Sequence, residues 1–211
     1  MRKTLTLLAL ASALPLAAQS FEAGALYTWS PGKSQTLSSG GSSIDLKADT
    51  WKAAGLRFGY NFVSVGPMEI QGNATMQFNN SQDIKVSSSG TSATLGTEDY
   101  KYWAVGAAVN WNFLVRAGVG LEYRSESLGF TDPSAPQYNK STTYGRPWIR
   151  GTAGFTIPAP IVKPFIGVEA AFPLASKTLS LSDVGATPNI DNLNKSLAPK
   201  AQYGIYVGVR F

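Results

Sequence analysis

The chain has 211 residues, a formal net charge of +5, and neither cysteine nor histidine. The absence of both residue types excludes disulfide bonds, cysteine or histidine metal centres, and general-base chemistry that depends on imidazole. So small a net charge gives no reason to expect nucleic-acid binding, and we predict no catalytic residue, metal site, cofactor or enzymatic activity.

Residues 1–19 have the layout of a secretory signal peptide. A basic start, MRK, precedes an apolar run from Leu5 to Leu16 and a group of small residues. The run is shorter than the roughly 20 residues that a membrane-spanning helix needs, and we expect cleavage near Ala18. A buried amino-terminal helix is the alternative. Residues 20–211 are then predicted to form a single exported domain.

Eight later stretches alternate apolar and polar residues with a period of two, which is typical of β-strands with two different faces. Each has about 10–15 residues, a length that suits a tilted strand crossing a membrane. Short gaps alternate with long ones at 31–49, 80–97, 127–145 and 176–200. This pattern predicts an all-β fold, a transmembrane eight-stranded antiparallel up-and-down β-barrel with long extracellular loops. The strands cover approximately 20–30, 50–62, 66–79, 98–113, 114–126, 146–157, 163–175 and 201–211.

Aromatic residues mark the ends of several apolar faces. Phe21 and Trp29 lie eight residues apart on one face, and so do Trp103 and Trp111. Eight residues at about 3.3 Å each, tilted by about 40°, cover roughly 20 Å of height. That height is close to the apolar band between the two aromatic girdles of a membrane barrel, and we interpret these four residues as girdle positions.

The last predicted strand has one continuous apolar face that ends on an aromatic residue. An edge strand of a soluble sandwich would give the same alternation. A closed barrel instead pairs this strand with the first one and leaves no edge exposed, so a monomer is expected. The face consists of Tyr203, Ile205, Val207, Val209 and Phe211.

The opposite parity places five arginines and five glutamates inside the predicted barrel. The interior of an eight-stranded barrel is only just wide enough for side chains, so these charges must pair or be hydrated. We expect an ion-pair network that largely plugs the lumen, with inward glycines leaving room for the long side chains. The ten residues of this lumen charge network are Glu22, Arg57, Glu69, Arg116, Glu122, Arg124, Glu126, Arg150, Glu169 and Arg210.

The leader, the eight predicted strands and the terminal strand ending in Phe211 resemble the small outer-membrane β-barrels of the OmpA/OmpX type. The resemblance covers essentially the whole mature chain, but it rests on pattern and not on a run of identical residues. It implies a location in the bacterial outer membrane, insertion by the barrel-assembly machinery, and contact with outer-membrane lipid and lipopolysaccharide. It leaves the activity open, because such barrels include structural proteins, adhesins and enzymes.

Two functional hypotheses follow from the loops and the lumen. Long loops rich in serine, glycine and asparagine favour a structural or surface-binding, adhesin-like role toward an unknown extracellular ligand. The alternative is a narrow pore or an OmpW-like portal for small solutes, because Trp51, Trp148 and Phe165 are predicted to face inward beside many glycines.

Three lysines near the predicted outer rim have outward parity. Lys33, Lys52 and Lys101 could contact lipopolysaccharide phosphates as point charges. Ordinary lysines that extend to the membrane surface are the alternative interpretation.

Overall fold

The computed structural model describes residues 21–39, 42–88, 91–177 and 189–211, so the predicted leader lies outside the described residues. The described residues form ten strands, one α-helix and one short 3₁₀ helix at Pro136–Tyr138. The elements are β1 (Phe21–Ser30), β2 (Lys33–Ser39), β3 (Ser42–Ala48), β4 (Trp51–Val65), β5 (Met68–Ser88), β6 (Thr91–Asn112), β7 (Arg116–Thr131), β8 (Lys140–Thr156), β9 (Lys163–Pro173), α1 (Ile190–Leu197) and β10 (Gln202–Arg210).

Eight of the ten described strands close into a ring in the order β1, β4, β5, β6, β7, β8, β9, β10. Each neighbouring pair is antiparallel, and β10 returns to β1 with Val207 opposite Ala25. The Phe211 N–H donates to the Phe21 carbonyl oxygen at 2.9 Å, which extends this closing pair by one bond. The predicted transmembrane eight-stranded antiparallel up-and-down barrel is confirmed.

The two ends of the barrel differ in how they connect the strands. At one end, called the turn end, residues 66–67, 113–115 and 157–162 join successive strands of the ring. Gly66 has a φ of +57°, a conformation that glycine adopts without a steric penalty, and it allows the tight turn between β4 and β5. The other end, called the loop end, carries the longer connections, as the alternating gaps predict.

The loop end holds more regular structure than the sequence pattern predicts. Residues 80–97 are predicted as a loop, yet β5 and β6 stay paired there as far as Ser88 opposite Thr91. The gap at 31–49 contains the β2–β3 hairpin, and β3 pairs in turn with the upper part of β5. Strand pairing continues past the membrane because it satisfies backbone hydrogen bonds there as well.

The connection from β9 to β10 is also predicted as a loop, but it contains α1. The Asn189 side chain accepts a hydrogen bond from the Asn192 N–H at 3.1 Å and caps the first turn. Asp191 lies in the first turn and Lys195 in the last, so both charges complement the helix dipole. An eight-residue helix with these signals is short enough to be missed in a segment dominated by polar residues.

The barrel wall separates an apolar outer face from a polar lumen. On β7 the outward Leu121 side chain is 59% exposed, whereas the next residue, Glu122, is 4% exposed. The predicted girdle residues Phe21, Trp29, Trp103 and Trp111 share the outward face with the apolar side of β10. A band of this kind around a closed barrel is the surface that lipid covers.

Within the part of the chain that the structure describes, no helix is long and apolar enough to cross a membrane.

Candidate functional site

The lumen begins at the turn end with a cluster of four charged side chains. Glu22 Oε2 accepts hydrogen bonds from Arg116 Nη1 at 2.5 Å and from Arg210 Nη2 at 2.9 Å. Arg116 also lies 3.4 Å from Glu69. Glu22 and Arg210 are direct cross-strand neighbours on β1 and β10, so the pair that closes the ring also supplies an ion pair inside it.

A second cluster occupies the middle of the lumen around Glu122. Its two carboxylate oxygens accept from Arg124 Nε at 2.6 Å and from Arg150 Nη1 at 2.8 Å. The Arg124 guanidinium lies 4.3 Å from the centroid of the Tyr102 ring and 3.9 Å from that of Trp148. This fully buried cation is therefore held by a carboxylate and by two aromatic faces.

Arg57 and Glu169 form a separate ion pair beside this cluster. Arg57 Nε also donates to Thr75 Oγ1 at 3.0 Å, which fixes the plane of the guanidinium. The Arg57 side chain lies 5.9 Å from the centroid of the Tyr206 ring. The pair thus bridges the lumen between β4 and β9, two strands that are not neighbours in the ring.

Glycines make room for these long side chains. A Cβ atom added at Gly106 would lie 2.7 Å from Glu122 Cβ, closer than real Cβ contacts. Such a close approach explains why small residues stand beside large ones in so narrow a lumen. Six lumen charges have a glycine directly opposite on a neighbouring strand: Glu22 with Gly59, Arg57 with Gly24, Arg116 with Gly154, Glu122 with Gly106, Arg150 with Gly120, and Glu169 with Gly204.

A third cluster lies nearer the loop end and includes a residue that the sequence analysis missed. Arg146 forms an ion pair with Glu126, with Arg146 Nη2 at 3.1 Å from Glu126 Oε1. The Tyr100 hydroxyl donates to the same carboxylate at 2.5 Å. Arg146 shares its parity with Trp148 and Arg150, so the alternation of β8 could have identified it as a lumen residue.

The structure therefore places all ten predicted lumen charges on the inward face of the barrel wall. Nine of them pair with one another, and Glu126 pairs with Arg146 instead. The side chains meet in three clusters and in the separate Arg57–Glu169 pair, and they do not form one continuous network of direct ion pairs.

Helix α1 covers the loop end of the lumen, and we call it the cap. Its apolar face, formed by Ile190, Leu193 and Leu197, packs against a buried cluster from the wall that includes Leu46 and Ile84. These contacts explain why a short helix is stable at this position, because tertiary packing and not helix propensity supplies most of the stability.

Polar contacts tie the cap to the barrel wall as well. Asp191 accepts from Lys140 Nζ at 2.5 Å and from Thr142 Oγ1 at 2.6 Å. The Asn194 amide, fully buried, donates to Thr142 Oγ1 at 3.1 Å. Arg146 donates to the Pro199 carbonyl oxygen at 2.6 Å, so one side chain connects the upper lumen cluster to the segment that follows the cap.

Two titratable groups lie beneath the cap, on the loop side of Trp103 and Trp29. Glu98 is fully buried opposite Gln82, and burial raises the pKa of its carboxyl well above the ordinary value. Lys33 is half-buried and donates to the Ser196 carbonyl oxygen, and burial lowers the pKa of its ammonium to about 8.

The outward position predicted for Lys33 is wrong. The parity of β1 does not continue through Pro31 and Gly32, and the side chain turns toward the cap. Lys52 and Lys101 are exposed, as their parity predicts. A cavity of about 200 Å³ lies next to the end of the cap, and its walls include Lys33, Trp51, Leu197 and Pro199.

Matches to this chain come from solved structures and not from sequence comparisons. No protein-family description matches the sequence, and no curated protein matches it. Among solved structures, Neisserial surface protein A has 12% identity and a TM-score of 0.50, over 91% of this chain and 95% of that one. The outer membrane protein OprG from Pseudomonas aeruginosa has 11% identity and a TM-score of 0.50, over 91% of this chain and 93% of that one.

A third solved structure is Ail, the attachment invasion locus protein of Yersinia pestis, which was crystallised with the heparin analogue sucrose octasulfate. It has 14% identity and a TM-score of 0.45, over 92% of this chain and 99% of that one. The first two likenesses show that the chain has the fold of small outer-membrane β-barrels of the OmpA/OmpX type.

Proposed function

We propose that this chain is an exported outer-membrane barrel whose lumen is closed to solutes and whose loop end serves a structural or surface-binding role. The single observation that carries the proposal is the arrangement of three ion-pair clusters in series beneath a helical cap. A permeation path would have to pass every cluster and then displace the cap.

The energetics of the lumen support closure. Arg124 and Glu126 are completely buried, and Arg150 is 3% exposed. Removing one partner of such a pair costs about 3–5 kcal/mol, because the other charge is left buried and uncompensated. A solute that separated these pairs would meet a barrier of that order at each cluster, whereas a conducting pore needs weakly held groups along its wall.

The charges and contacts of the lumen also favour a non-enzymatic role. Glu122 is held by two arginines, and Glu126 by Arg146 and Tyr100. A carboxylate that already accepts hydrogen bonds from an arginine and a second donor is a poor general base, because those donors occupy the lone pairs that would take a proton.

With the lumen closed and the wall covered by lipid, the loop end is the surface available to an extracellular partner. The β2–β3 hairpin and the upper parts of β5 and β6 form a paired extension of the wall beyond the cap. Paired strands hold a surface more rigidly than free loops, so a partner would lose less entropy on binding them. This extension supports the surface-binding version of the proposal over a purely structural one.

Conductance of the refolded chain in a planar bilayer tests closure of the lumen. We expect no current steps from the unmodified chain, and none from Arg116→Ala, which opens only the turn-end cluster. Heat-modifiable migration confirms that each sample is a folded barrel. Defined conductance steps from the unmodified chain, altered by Arg116→Ala, would overturn closure and favour the narrow-pore alternative.

Shortening the hairpin tips tests the surface role. Residues 36–45 and 87–92 can each be replaced by Asn-Gly, a sequence that favours a two-residue hairpin turn, and Val86 stays paired with Ala93. These cuts leave Leu46 and Ile84 in place beneath the cap. We expect bacteria that display the shortened chain to adhere less to cultured epithelial cells than bacteria displaying the full chain at equal surface level. Equal adherence of the two strains would contradict a binding role for the tips.

A further inference from the structure

The cavity of about 200 Å³ beside the cap has a buried floor and an exposed mouth, and we call it the cap pocket. Its walls come from the turn after β1, the start of β4, and the segment that joins the cap to β10. The exposed wall residues are Pro31, Gly32 and Lys200, and the buried ones are Trp51, Leu197, Ala198 and Pro199. The mouth therefore faces the solution at the loop end, while the floor lies under the end of the cap.

Two lysines, Lys33 and Lys200, are the only charged residues among the described residues that line the cap pocket. Neither has a carboxylate partner within 4.0 Å in the part of the chain that the structure describes. Lys33 donates one hydrogen bond, to the Ser196 carbonyl oxygen. Because a lysine ammonium has three N–H donors, Lys33 keeps two for another acceptor.

The positive charge around Lys33 is poorly compensated. Burial, followed by the positive charges of Lys200 and Arg146, lowers the pKa of the Lys33 ammonium to about 8. Glu98 opposes this shift, but burial raises the pKa of its own carboxyl well above the ordinary value and so favours its neutral form. Lys33 is still mostly protonated at neutral pH, and an anion in the pocket would offset the repulsion between these cations.

The remaining wall decides which kind of anion fits. Apart from the two lysines and the indole N–H of Trp51, its side chains are apolar and belong to proline, alanine, leucine and tryptophan. Such a wall cannot satisfy a second charged or strongly hydrated group, and burial of an unsatisfied polar group is costly. The cap pocket therefore favours a ligand with one anionic group and an apolar body.

The volume of the pocket limits the size of that body. An apolar cavity of about 150 Å³ accommodates benzene, whereas sites for drug-sized ligands begin near about 300 Å³. A cavity of about 200 Å³ therefore has room for a single ring, or a short branched chain, together with its carboxylate. The position of Lys200 at the mouth and of Leu197 at the floor orients such a ligand with its body inward.

We propose that the cap pocket binds a small monocarboxylate with an aromatic or branched aliphatic body. Its carboxylate accepts hydrogen bonds from Lys33 and Lys200, and its body packs against Trp51 and Leu197. Leu197 is the last residue of α1, and Lys33 already holds Ser196 of the same helix, so the bound ligand also stabilises the cap. The hairpin tips take no part in this site, which therefore stands or fails independently of the proposed adhesive role.

Fluorine NMR of para-fluorobenzoate tests the assignment on barrels folded in lipid nanodiscs, with empty nanodiscs as the correction for partition into lipid. Para-fluorobenzamide is the neutral analogue of the same shape, and trifluoroacetate is a carboxylate without a ring. Lys200→Gln is the deciding variant, because Lys200 is exposed and has no hydrogen bond to lose among the described residues. Lys101→Gln is the matched control, since Lys101 is exposed and lies outside the pocket.

We expect para-fluorobenzoate to bind saturably at one site per barrel, and the amide and trifluoroacetate to bind about tenfold more weakly. Lys200→Gln should weaken binding of the acid about fivefold to tenfold, whereas Lys101→Gln should leave it unchanged. The acid should also slow hydrogen exchange in α1 of the unmodified chain, and do so less in Lys200→Gln at the same concentration. Heat-modifiable migration checks that each variant is folded.

Three results would overturn the inference. Equal affinity for the acid and the amide, or equal affinity of Lys200→Gln and Lys101→Gln for the acid, would show that the lysines do not bind a carboxylate there. Equal affinity for para-fluorobenzoate and trifluoroacetate would reduce the pocket to a site for bare anions. Absence of saturable binding to the folded, unmodified chain would remove the site altogether.

Discussion

Neutralising Glu122 removes the shared partner of two buried arginines, and Glu122→Gln is therefore the sharpest test of the lumen. The carboxylate is 4% exposed and accepts from Arg124 at 2.6 Å and Arg150 at 2.8 Å. Removal of one partner from a buried pair costs about 3–5 kcal/mol. Arg124 keeps its hydrogen bond to Gln202 at 2.8 Å, so we expect a loss near the lower limit, about 3 kcal/mol in the free energy of unfolding.

A second substitution separates the charge effect from a packing effect. Arg150→Met removes one of the two uncompensated cations at nearly constant volume, so the double variant with Glu122→Gln should be more stable than Glu122→Gln alone. Glu69→Gln is the matched control, because its contact with Arg116 is 3.4 Å long and lies at the rim of the turn-end cluster. We expect a smaller loss there than at Glu122.

The assay is guanidinium unfolding of barrels folded in phospholipid vesicles, followed by tryptophan fluorescence and by heat-modifiable migration. A Glu122→Gln variant within about 0.5 kcal/mol of the unmodified chain would refute the reasoning, since that is the range of ordinary surface substitutions. A double variant no more stable than Glu122→Gln would do so as well. Either result would mean that water screens these charges and that the middle of the lumen is open.

Three further predictions concern packing and the cap. Gly167→Ala should lower the denaturant midpoint, because the added methyl would lie closer to the buried Tyr206 ring than real Cβ contacts allow, whereas Gly151→Ala, with open space around it, should leave the midpoint unchanged. Burial beneath the cap raises the pKa of the Glu98 carboxyl, so the stability that Glu98 contributes is fully present below the ordinary carboxyl pKa and is lost as pH rises through the folded pKa. Glu98→Gln should abolish this pH dependence in the hydrogen-exchange protection of α1. The pKa of Lys33 is lowered from 10.5 to about 8, so protection of α1 should increase with pH between these values, and Lys33→Met should remove the increase.

The membrane-spanning part of the barrel could be predicted because its lipid-facing side requires apolar residues and its lumen-facing side requires polar ones. Along β7, Leu121 and Tyr123 face outward while Glu122 and Arg124 face inward, and no shift of one residue could satisfy both lipid and lumen. The turn-end boundary of β9, predicted at 163, is Lys163 in the structure, because a short gap leaves little freedom.

The loop-end boundaries could not be predicted in the same way. Beyond the membrane neither face of β5 contacts lipid, so its outward residues need not be apolar. The alternation of apolar and polar residues therefore weakens after Phe78, although β5 stays paired with β6 as far as Ser88. Helix α1, the cap, could not be predicted for a related reason. Its three apolar residues are stable only against Leu46 and Ile84, which come from distant parts of the chain.

Parity also says which side chains share the lumen but not which of them meet. It places Arg124 inside, yet its position between Tyr102 and Trp148 depends on strand register and on the stagger of the ring. Arg146 was missed although its parity was available, and Lys33 was placed outward by a parity that ends at the turn after β1. Ion-pair partners in a barrel therefore need the register as well as the pattern.

In the proposed closed barrel the cap and the lumen clusters act as barriers in series, so a single substitution is a weak test of conduction. Opening the turn-end cluster leaves the Glu122 cluster, the Glu126–Arg146 pair and the cap in place. Arg146 belongs to two of these barriers, since it binds Glu126 and also donates to the Pro199 carbonyl oxygen after the cap. A movement of the cap that carries Pro199 with it therefore requires Arg146 to release one of its two partners.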